Sequence, residues 1–524
     1  MQGREEQAVL FANVHLWQRP QPQEPEAVGE CQARVKPVER KQLVLRPVDV
    51  EQLVGPDHAA RAIWELVGQR DLRRFYEKIQ AVEGVAGRPA TDPRLLISLW
   101  IYAYMDGTPS AREIAERCEY HPAYQWLTGA GTVCAHTLSD FRTAHGEALK
   151  ELATQVLALL ANEGMVDLEQ VTQDGTKIRA SAGADTFRRE NTIQKHLEQA
   201  RQRVEELEGQ DGEQLSQRTI QAQQRAARER AGRMEKALQE LEKVRQTRSA
   251  EERDRTRVSL TDPEARIMKQ NNGGFGPSYN VQLTTDAKQT VIVSLAVTQE
   301  SSDAGQLQPA LQRLEQEAGQ TPQQVIADGA YTSRENIVAT AGQGIDLIGP
   351  PPDGTVQKET LYKIRGVAPA FRPEAFGFDA ASNRYTCPAG KILSYKTKHV
   401  VVGQTKYTYL AEASDCAACV HQVRCCPTTG KAGRSIVRTE DGPEMAAFRA
   451  KMETTEAKVV YKKRGQVAEF PHLCIKERFG LRRFSVRGLA KVNIEARWVC
   501  LAYNIQQWIR LCWRPPRLAL AAGR

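Results

Sequence analysis

Long apolar runs are missing from this 524-residue sequence, and no stretch reaches the length that a membrane-spanning helix needs. The opening segment MQGREEQAVLFANVHLW lacks the basic region, apolar run and cleavage site of a secretory signal. A strong charge of one sign is missing too, since the formal net charge is only +8. We therefore expect a cytoplasmic protein with no membrane partner. The modest positive excess allows a polyanionic partner without requiring one.

A disulfide framework is not expected either, because cytoplasmic proteins keep their cysteines reduced. Six of the eleven cysteines are scattered and are interpreted as ordinary buried thiols: Cys31, Cys118, Cys134, Cys474, Cys500 and Cys512. The other five lie closer together: Cys387, Cys416, Cys419, Cys425 and Cys426. Four of these have the spacing to hold a tetrahedral zinc ion, namely Cys387, Cys416, Cys419 and Cys425. Reduced cysteines in an insertion explain the same spacing equally well.

The first third of the chain is predicted to be helical after a flexible leader. Residues 1–43 are rich in Gln, Pro and Glu, a composition typical of unstructured segments. Over residues 44–165 apolar residues recur at helical spacing. Ser110 and Glu113 have the spacing of a capping box, and one further helix is predicted from residue 137 to about residue 163. Short helices with basic outer faces suit a DNA-binding domain, and an ordinary helical domain fits the pattern as well.

Beyond residue 166 strands and helices alternate. The order is a strand with an acid, a polar helical insertion, two strands, a helix, a second strand with an acid, a helix and a strand. This alternation predicts a three-layer α/β domain over residues 166–510, followed by a tail at 511–524.

Two insertions interrupt that domain. Residues 186–257 are dense in Gln, Glu, Arg and Lys, and they predict a solvated hairpin of two antiparallel helices with a turn at Gly209 to Gly212. Residues 353–442 contain the clustered cysteines. A single long helix is then predicted from Pro443 to about Phe470.

Two acids stand where an α/β sheet usually forms its ligand site. Asp174 and Asp328 are each predicted at the carboxyl end of a strand, next to a glycine. Phosphodiester chemistry with two metal ions needs hard oxygen ligands from separate elements that converge on one cleft. Taken singly, an Asp-Gly pair at a strand end is more often just a turn. A third acid, Glu469, is flanked by Lys and Arg, which keep a carboxylate ionised as a metal ligand must be.

Several segments resemble the DDE transposases of bacterial insertion sequences: LLISLWIYAYMDGTPSAREIAERC, HTLSDFR, VTQDGTKIRASAG, DPEARIMKQNNGGFGPSYNVQLTTD, VIADGAYTSREN and RGQVAEFPHLCIKERFGLRRFSVRGLAKVNIEARWVCLAYN. The resemblance extends from about Arg94 to Trp508. It implies a ribonuclease H-like catalytic core whose acids are Asp174, Asp328 and Glu469. These acids would bind two Mg²⁺ or Mn²⁺ ions.

The family also has a signature around its last acid, Tyr-x2-Arg-x3-Glu-x6-Lys. In this chain it corresponds to Tyr461, Arg464, Glu469 and Lys476, but four residues instead of three separate Arg464 from Glu469. The basic residues around Glu469 are the predicted DNA contacts: Tyr461, Arg464, Lys476, Arg482, Arg483, Arg487 and Lys491. Stacking on a displaced base is one interpretation of Tyr461, and internal packing is the other.

The resemblance implies a transposase that binds the terminal inverted repeats of its element and catalyses strand cleavage and strand transfer. Its partners would be double-stranded transposon ends and target DNA, with a homodimer on the DNA, in the bacterial cytoplasm and at the nucleoid when bound. Two alternatives stay open at this point. One is a ribonuclease H-type nuclease without strand transfer, and the other is a non-catalytic DNA-binding protein derived from a transposase.

Overall fold

The computed structural model describes residues 47–81, 89–208, 217–270, 272–352, 355–427 and 432–513. The predicted leader, the predicted turn at Gly209 to Gly212 and the tail from residue 514 lie outside the described residues. The strands are β1 (Gln170–Arg179), β2 (Phe187–Arg188), β3 (Val258–Ser259), β4 (Arg266–Lys269), β5 (Phe275–Asp286), β6 (Val291–Thr298), β7 (Gln324–Ala327), β8 (Asp346–Ile348), β9 (Gly377–Asp379), β10 (Arg384–Thr386), β11 (Ile392–Val401), β12 (Gln404–Ala411) and β13 (Ser435–Asp441).

Helices precede, interrupt and follow these strands. They are α1 (Ala59–Gly68), α2 (Arg73–Tyr76), α3 (Pro93–Met105), α4 (Ala111–Tyr120), α5 (Pro122–Thr128), α6 (Ala135–Ala144), α7 (Gly146–Asn162), α8 (Glu190–Glu208), α9 (Gln217–Gln246), α10 (Ala250–Arg253), α11 (Leu307–Ala318), α12 (Arg334–Gly342), α13 (Thr355–Ile364), α14 (Ala413–Ala417), α15 (Gln422–Cys425), α16 (Pro443–Glu453), α17 (Thr455–Lys462), α18 (Phe470–Leu473) and α19 (Leu489–Leu511). The mixed α/β class predicted from the sequence is confirmed.

Local sequence sets the ends of several helices. The Ser110 side chain accepts a hydrogen bond from the backbone N–H of Glu113 at 3.4 Å, so the predicted cap of α4 is confirmed. The single helix predicted from residue 137 to 163 is wrong, because His145 leaves helical geometry and separates α6 from α7. The single helix predicted from Pro443 is wrong as well. Thr454 is extended between α16 and α17, and its hydroxyl accepts a hydrogen bond from Ala457 N at 3.2 Å.

A mixed sheet brings the predicted acids together. Its order is β4-β5-β1-β7-β8, and β6 also pairs with β5. β5 is antiparallel to β1, β4 and β6, whereas β7 is parallel to both β1 and β8. The strands that lead to the first two predicted acids, β1 and β7, are therefore direct neighbours in the middle of the sheet.

One hydrophobic core joins the N-terminal helices, the sheet and the C-terminal helix α19. Trp100 of α3 and Trp498 of α19 are both fully buried in it. The Trp498 Nε1 donates a hydrogen bond to the carbonyl of Arg142 at 3.0 Å, and Asn504 of α19 donates to and accepts from the backbone of Ile292 in β6. These bonds fix α19 against both α6 and the sheet.

The two long helices α8 and α9 lie in the polar segment 186–257. They are antiparallel, because Glu208 pairs with Arg228 at 2.7 Å while Arg201, further from the turn, pairs with Glu235 at 2.8 Å. Their shared apolar core is small and consists of Ile193, Ala237, Leu241 and Val258.

The cysteine-containing segment forms a separate antiparallel sheet of order β13-β12-β11-β10-β9. Its own core includes Phe371, Tyr385, Tyr409 and Ile436. This core lies at one end of the sheet, and most of β11 lies beyond it.

Candidate active site

Asp174 and Asp328 follow the last paired residues of two neighbouring parallel strands. β1 and β7 pair from Gln170 with Gln324 up to Gln173 with Ala327, and the next residue on each strand is an acid. Equal register places both acids at the same end of this ladder. That end is the carboxyl edge of β7, where α/β sheets form ligand sites.

The prediction that Asp174 ends its strand is wrong, although Asp328 does follow β7. β1 continues to Arg179, because its other edge stays paired with β5 after the pairing with β7 has ended. Asp174 is therefore fixed on a continuous strand and its side chain is 13% exposed, against 36% for Asp328 in a loop. The first acid is therefore more buried than the second.

One guanidinium joins the three predicted acids. Arg464 Nη2 lies 3.2 Å from Asp174 Oδ2 and 3.8 Å from Asp328 Oδ2. Its Nη1 lies 3.6 Å from Glu469 Oε1. Carboxylates from β1, from the loop after β7 and from the C-terminal helical region thus converge on a single cation.

A π-helical turn at Gly465–Glu469 explains the unusual spacing of the signature. A π turn closes hydrogen bonds over one residue more than an α turn. It therefore accommodates the extra residue between Arg464 and Glu469, and both side chains still face each other. A second π turn, Cys474–Arg478, carries Lys476. Isolated π turns within helices are frequent at functional sites.

A polar network beside Asp174 depends on a residue that sequence reasoning missed. Asp303 accepts hydrogen bonds from Lys177 Nζ at 2.8 Å, Asn280 Nδ2 at 2.6 Å and Gln282 Nε2 at 2.7 Å. Asp303 lies in the loop after β6, where no strand or helix pattern marks it. The sequence signal that could have indicated this network is the pair of polar residues Asn280 and Gln282 in the buried strand β5.

Gly175 leaves room for this network. A Cβ at this position would lie 2.2 Å from Gln282 Nε2 and 2.6 Å from Asp303 Oδ1. A Cβ after the first acid would therefore displace the side chains of Gln282 and Asp303, and the glycine keeps this space free.

Burial raises the pKa of Asp174 to about 6. Arg464 and the backbone N–H of Gly175 oppose this rise, while the neighbouring Asp328 and Asp303 add to it. The first acid therefore exchanges its proton near neutral pH in the metal-free protein, because one guanidinium does not compensate for burial next to other acids.

His472 is a second residue of the site to which the sequence analysis assigned no role. Its Nε2 lies 3.9 Å from Asp174 Oδ2. Burial lowers the pKa of His472 to about 3, and the cations Lys476 and Arg464 act in the same direction, so the imidazole is neutral at pH 7. Among the described residues neither ring nitrogen has a hydrogen-bond partner.

Two of the three acids, Asp174 and Glu469, line a cleft of about 980 Å³ together with His472 and Lys476. Lys476 Nζ donates a hydrogen bond to the hydroxyl of Thr176, and burial lowers its pKa. The lysine of the signature is thus brought to the acids, two residues along β1 from Asp174.

The remaining predicted DNA contacts have different surroundings. Tyr461 is partly buried against the main core, which favours internal packing. Arg482 pairs with Glu477, and Arg487 Nε donates to the carbonyl of Ser181 at 3.1 Å. Two further cations, Arg483 and Lys491, are exposed. Only Arg464 and Lys476 of this set contact the acids or line the cleft within the part of the chain that the structure describes.

The donor chemistry of the acid cluster fits a divalent cation. Three carboxylates supply the hard oxygen ligands that Mg²⁺ and Mn²⁺ prefer. Across the described ranges no three His, Cys, Asp or Glu side chains are arranged to hold one metal ion, and here the three acids share Arg464 instead. Metal binding at this cluster requires the guanidinium to move aside.

The clustered cysteines line one small cavity of about 30 Å³: Cys387, Cys416, Cys419, Cys425 and Cys426. The Cys387 Sγ accepts a hydrogen bond from Lys391 N at 3.3 Å, and the Cys416 Sγ accepts one from Arg434 N at 3.2 Å. Burial raises the pKa of Cys416 and brings that of Cys425 to about 11, so both are thiols at neutral pH without a metal. A fifth cysteine, Cys426, therefore lines the same cavity as the four cysteines predicted from spacing.

Two family models match the chain. A transposase DDE domain matches residues 386–509, and a transposase domain (DUF772) matches residues 48–144. The first match includes Glu469 and Lys476, and the second covers most of the N-terminal helices. Together they support an insertion-sequence DDE transposase, and the mixed α/β fold is compatible with the core of such an enzyme. No curated protein matches the chain. None of the helices in the described residues is long and apolar enough to span a membrane.

Proposed function

We propose that the protein binds the terminal inverted repeats of an insertion sequence and catalyses DNA cleavage and strand transfer on a ribonuclease H-like core. The observation that carries this proposal is the convergence of Asp174, Asp328 and Glu469 on one guanidinium. Acids from three separate elements at one edge of a mixed sheet are what two-metal phosphodiester chemistry requires.

The roles of the residues follow from their positions. Asp174 on its strand, Asp328 after β7 and Glu469 at the end of the π turn would hold two Mg²⁺ or Mn²⁺ ions. Such ions activate the attacking oxygen and stabilise the leaving oxygen in an in-line displacement. Arg464 offsets part of the negative charge of the cluster in the metal-free protein, and Lys476 would offer a cation to a phosphate in the cleft. The cleft is polar and open, as an extended DNA strand needs.

DNA contacts outside the cleft would come from the exposed cations near Glu469, which are Arg482, Arg483, Arg487 and Lys491. The N-terminal helices, matched by a transposase domain, are proposed to recognise the transposon end. Two copies of the chain are proposed to assemble on DNA, because an element has two ends to process.

The test is cleavage of a labelled transposon-end duplex by purified protein with Mg²⁺ or Mn²⁺. Changing Asp174, Asp328 or Glu469 to Ala removes a metal ligand, so cleavage should fall below detection while end binding persists. The matched control is Asp346→Ala, an acid on the neighbouring strand β8 that pairs with Lys451 and should leave cleavage intact. Undiminished cleavage by any one of the three variants removes that acid from the site.

The same reaction separates the alternatives. A transposase joins the cleaved end to target DNA, and joined products would be visible as longer labelled strands. Cleavage without joined products would indicate a nuclease, and end binding without cleavage a non-catalytic DNA-binding protein.

We also propose a structural zinc ion bound by cysteines of the second insertion. The shared cavity supports this proposal, as do the backbone N–H groups that donate to Cys387 and Cys416, since such bonds stabilise thiolate ligands. Elemental analysis should find about one zinc per chain, and Cys416→Ser should release it. A folded, zinc-free preparation would exclude the site.

A further inference from the structure

The strand β11 is unusually exposed for its length. From Ser394 to Val401 every residue is exposed, with 44% of Tyr395 and 74% of Val400 accessible. The short strand β10 covers the edge of β11 only at Ile392 and Leu393, while β12 pairs along the other edge. Beyond Leu393 no strand of the described residues pairs with this edge of β11, so its backbone N–H and C=O groups lack a partner strand there.

The hairpin formed by β11 and β12 is basic. Residues 392–411 contain Lys396, Lys398, His399 and Lys406 and no Asp or Glu. All four side chains are exposed. In the described part of the chain none of the three lysines forms an ion pair. The pKa of Glu440 on β13 is lowered by hydrogen bonds with Tyr407 and Arg438, and Lys398 adds a smaller effect in the same direction.

The register places these cations on both faces of the hairpin. Lys398 is opposite Tyr407 on β12, and Arg438 lies across from Tyr407 on the next strand, β13. His399 is opposite Lys406 on the other face. Lys396 lies at a bulge between the two registers. Lys396, Lys398 and His399 therefore lie on the edge strand itself, while Lys406 lies one strand further in, and the four side chains occupy both faces of the hairpin.

Another protein strand is a poor occupant for this edge. Lysines and a bulge on an edge strand disfavour the addition of a second strand, and two copies of this hairpin would bring like charges together. A polyanion, in contrast, is complementary to three lysines that form no ion pair within the described ranges and to the N–H donors of an edge that no described strand covers, because phosphate oxygens accept hydrogen bonds from both.

We propose that the open edge of the β11–β12 hairpin binds the phosphate backbone of double-stranded DNA, as a contact separate from the catalytic cleft. This proposal rests on the proposed function, which supplies DNA as the partner. Because phosphates carry no sequence information, the edge contributes affinity and orientation and does not read the inverted repeat.

The test measures duplex affinity against salt for the variant Lys396→Gln, Lys398→Gln, Lys406→Gln. Each phosphate contact releases counterions and contributes about 0.9 to the slope of log affinity against log salt, so the slope should fall by about 2 to 3. Affinity near 0.1 M salt should fall at least about tenfold, equally on a transposon end and on a scrambled duplex.

The matched control removes three exposed cations from the helical insertion by Arg201→Gln, Arg203→Gln and Arg228→Gln. Each of these arginines is paired with a glutamate, so this control should keep the wild-type slope. A lysine variant that binds with the wild-type slope overturns the proposal, as does a control that loses as much slope. A wild-type protein that does not bind DNA overturns it together with the proposed function.

Failure of the proposed function alone gives a different pattern. If the protein binds DNA through the β11–β12 hairpin but shows no metal-dependent cleavage, the DNA contact at the hairpin stands and the proposed enzymatic activity is rejected. The opposite pattern would reject only the DNA contact at the β11 edge. In that pattern Asp328→Ala loses cleavage, but the lysine substitutions leave DNA binding unchanged.

Discussion

Two ion clusters of this protein have opposite character. Arg142 of α6 and Glu495 of α19 form a pair of 3.3 Å whose side chains are 6% and 1% exposed. Glu495 also accepts hydrogen bonds from the backbone N–H of Ser485 at 3.0 Å and of Val486 at 3.3 Å, and from the Ser485 hydroxyl. Arg142 in turn lies over the Trp100 ring at 4.6 Å. Charge here is balanced one to one inside the core.

The cluster around Arg464 is not balanced in this way. Three carboxylates share one guanidinium, none of the three distances is below 3.2 Å, and two of the acids remain substantially exposed. A buried charge whose partner is removed destabilises the fold, because it is left uncompensated. Acids that are concentrated and left undercompensated at a cleft are poised to bind a cation. The difference separates a structural ion pair from a candidate site.

The largest stability effect is expected at the structural pair. Glu495→Ala leaves Arg142 buried without its carboxylate and should lower the free energy of unfolding by about 3–5 kcal/mol. Urea denaturation measures this loss. The control Glu477→Ala breaks only the exposed pair with Arg482 and should cost at most about 1 kcal/mol. If both variants lose a similarly small free energy of unfolding, the Arg142–Glu495 pair does not differ from an exposed ion pair.

Asp174→Asn should change stability in the opposite direction. In the folded metal-free protein the carboxyl keeps its proton up to about pH 6, against 3.8 as the ordinary value. The stability associated with the neutral carboxyl is thus present below pH 3.8 and is lost as pH rises through about 6. An amide keeps the group neutral, so the variant should be about 1–3 kcal/mol more stable at pH 7 without metal. It should also be inactive. A variant less stable than the wild type would contradict the pKa of Asp174.

The same protonation equilibrium should control metal binding. Below about pH 6 an ion must displace the proton of Asp174, so the apparent affinity for Mg²⁺ should fall by up to about tenfold per pH unit. Above pH 7 the affinity should level off. Calorimetric titration of Mg²⁺ at several pH values measures this dependence. An affinity that is constant from pH 5 to 7 would mean that Asp174 is not a ligand.

The smallest effect is expected at Lys476. Lys476→Ala should lower the salt slope of duplex binding by about 1, because one phosphate contact is lost. The cleavage rate should fall as well, since the lysine lies beside the acids in the cleft. The control is Lys458→Ala, an exposed cation that pairs with Glu453 and does not line the cleft. If Lys476→Ala changes neither slope nor rate, the lysine does not contact DNA.

The acids could be named from sequence because each stands in a short local motif: a strand followed by Asp-Gly, or a glutamate within a basic run. Their arrangement could not be, since it depends on long-range pairing. The extension of β1 past Asp174 comes from its pairing with β5. The role of Asp303 comes from a loop that reaches across the sheet.

The helix breaks were missed for a different reason. At His145 and Thr454 the surrounding residues keep a helical pattern, and a single residue leaves helical geometry. The spacing of Arg464 and Glu469 looked like a departure from the family signature. A π turn accommodates the added residue. The turn is only five residues long, which is too short for a hydrophobic period to reveal it.

The central claim is that carboxylates of this cluster bind the metal that cuts DNA, and Asp328→Cys tests it most directly. Mg²⁺ accepts a thiolate ligand poorly, whereas the softer Mn²⁺ accepts it better. The wild type should cleave a transposon-end duplex with either ion, Asp328→Ala with neither, and Asp328→Cys only with Mn²⁺. Cleavage by Asp328→Ala, or an Asp328→Cys variant without any preference for Mn²⁺, would contradict metal binding at Asp328.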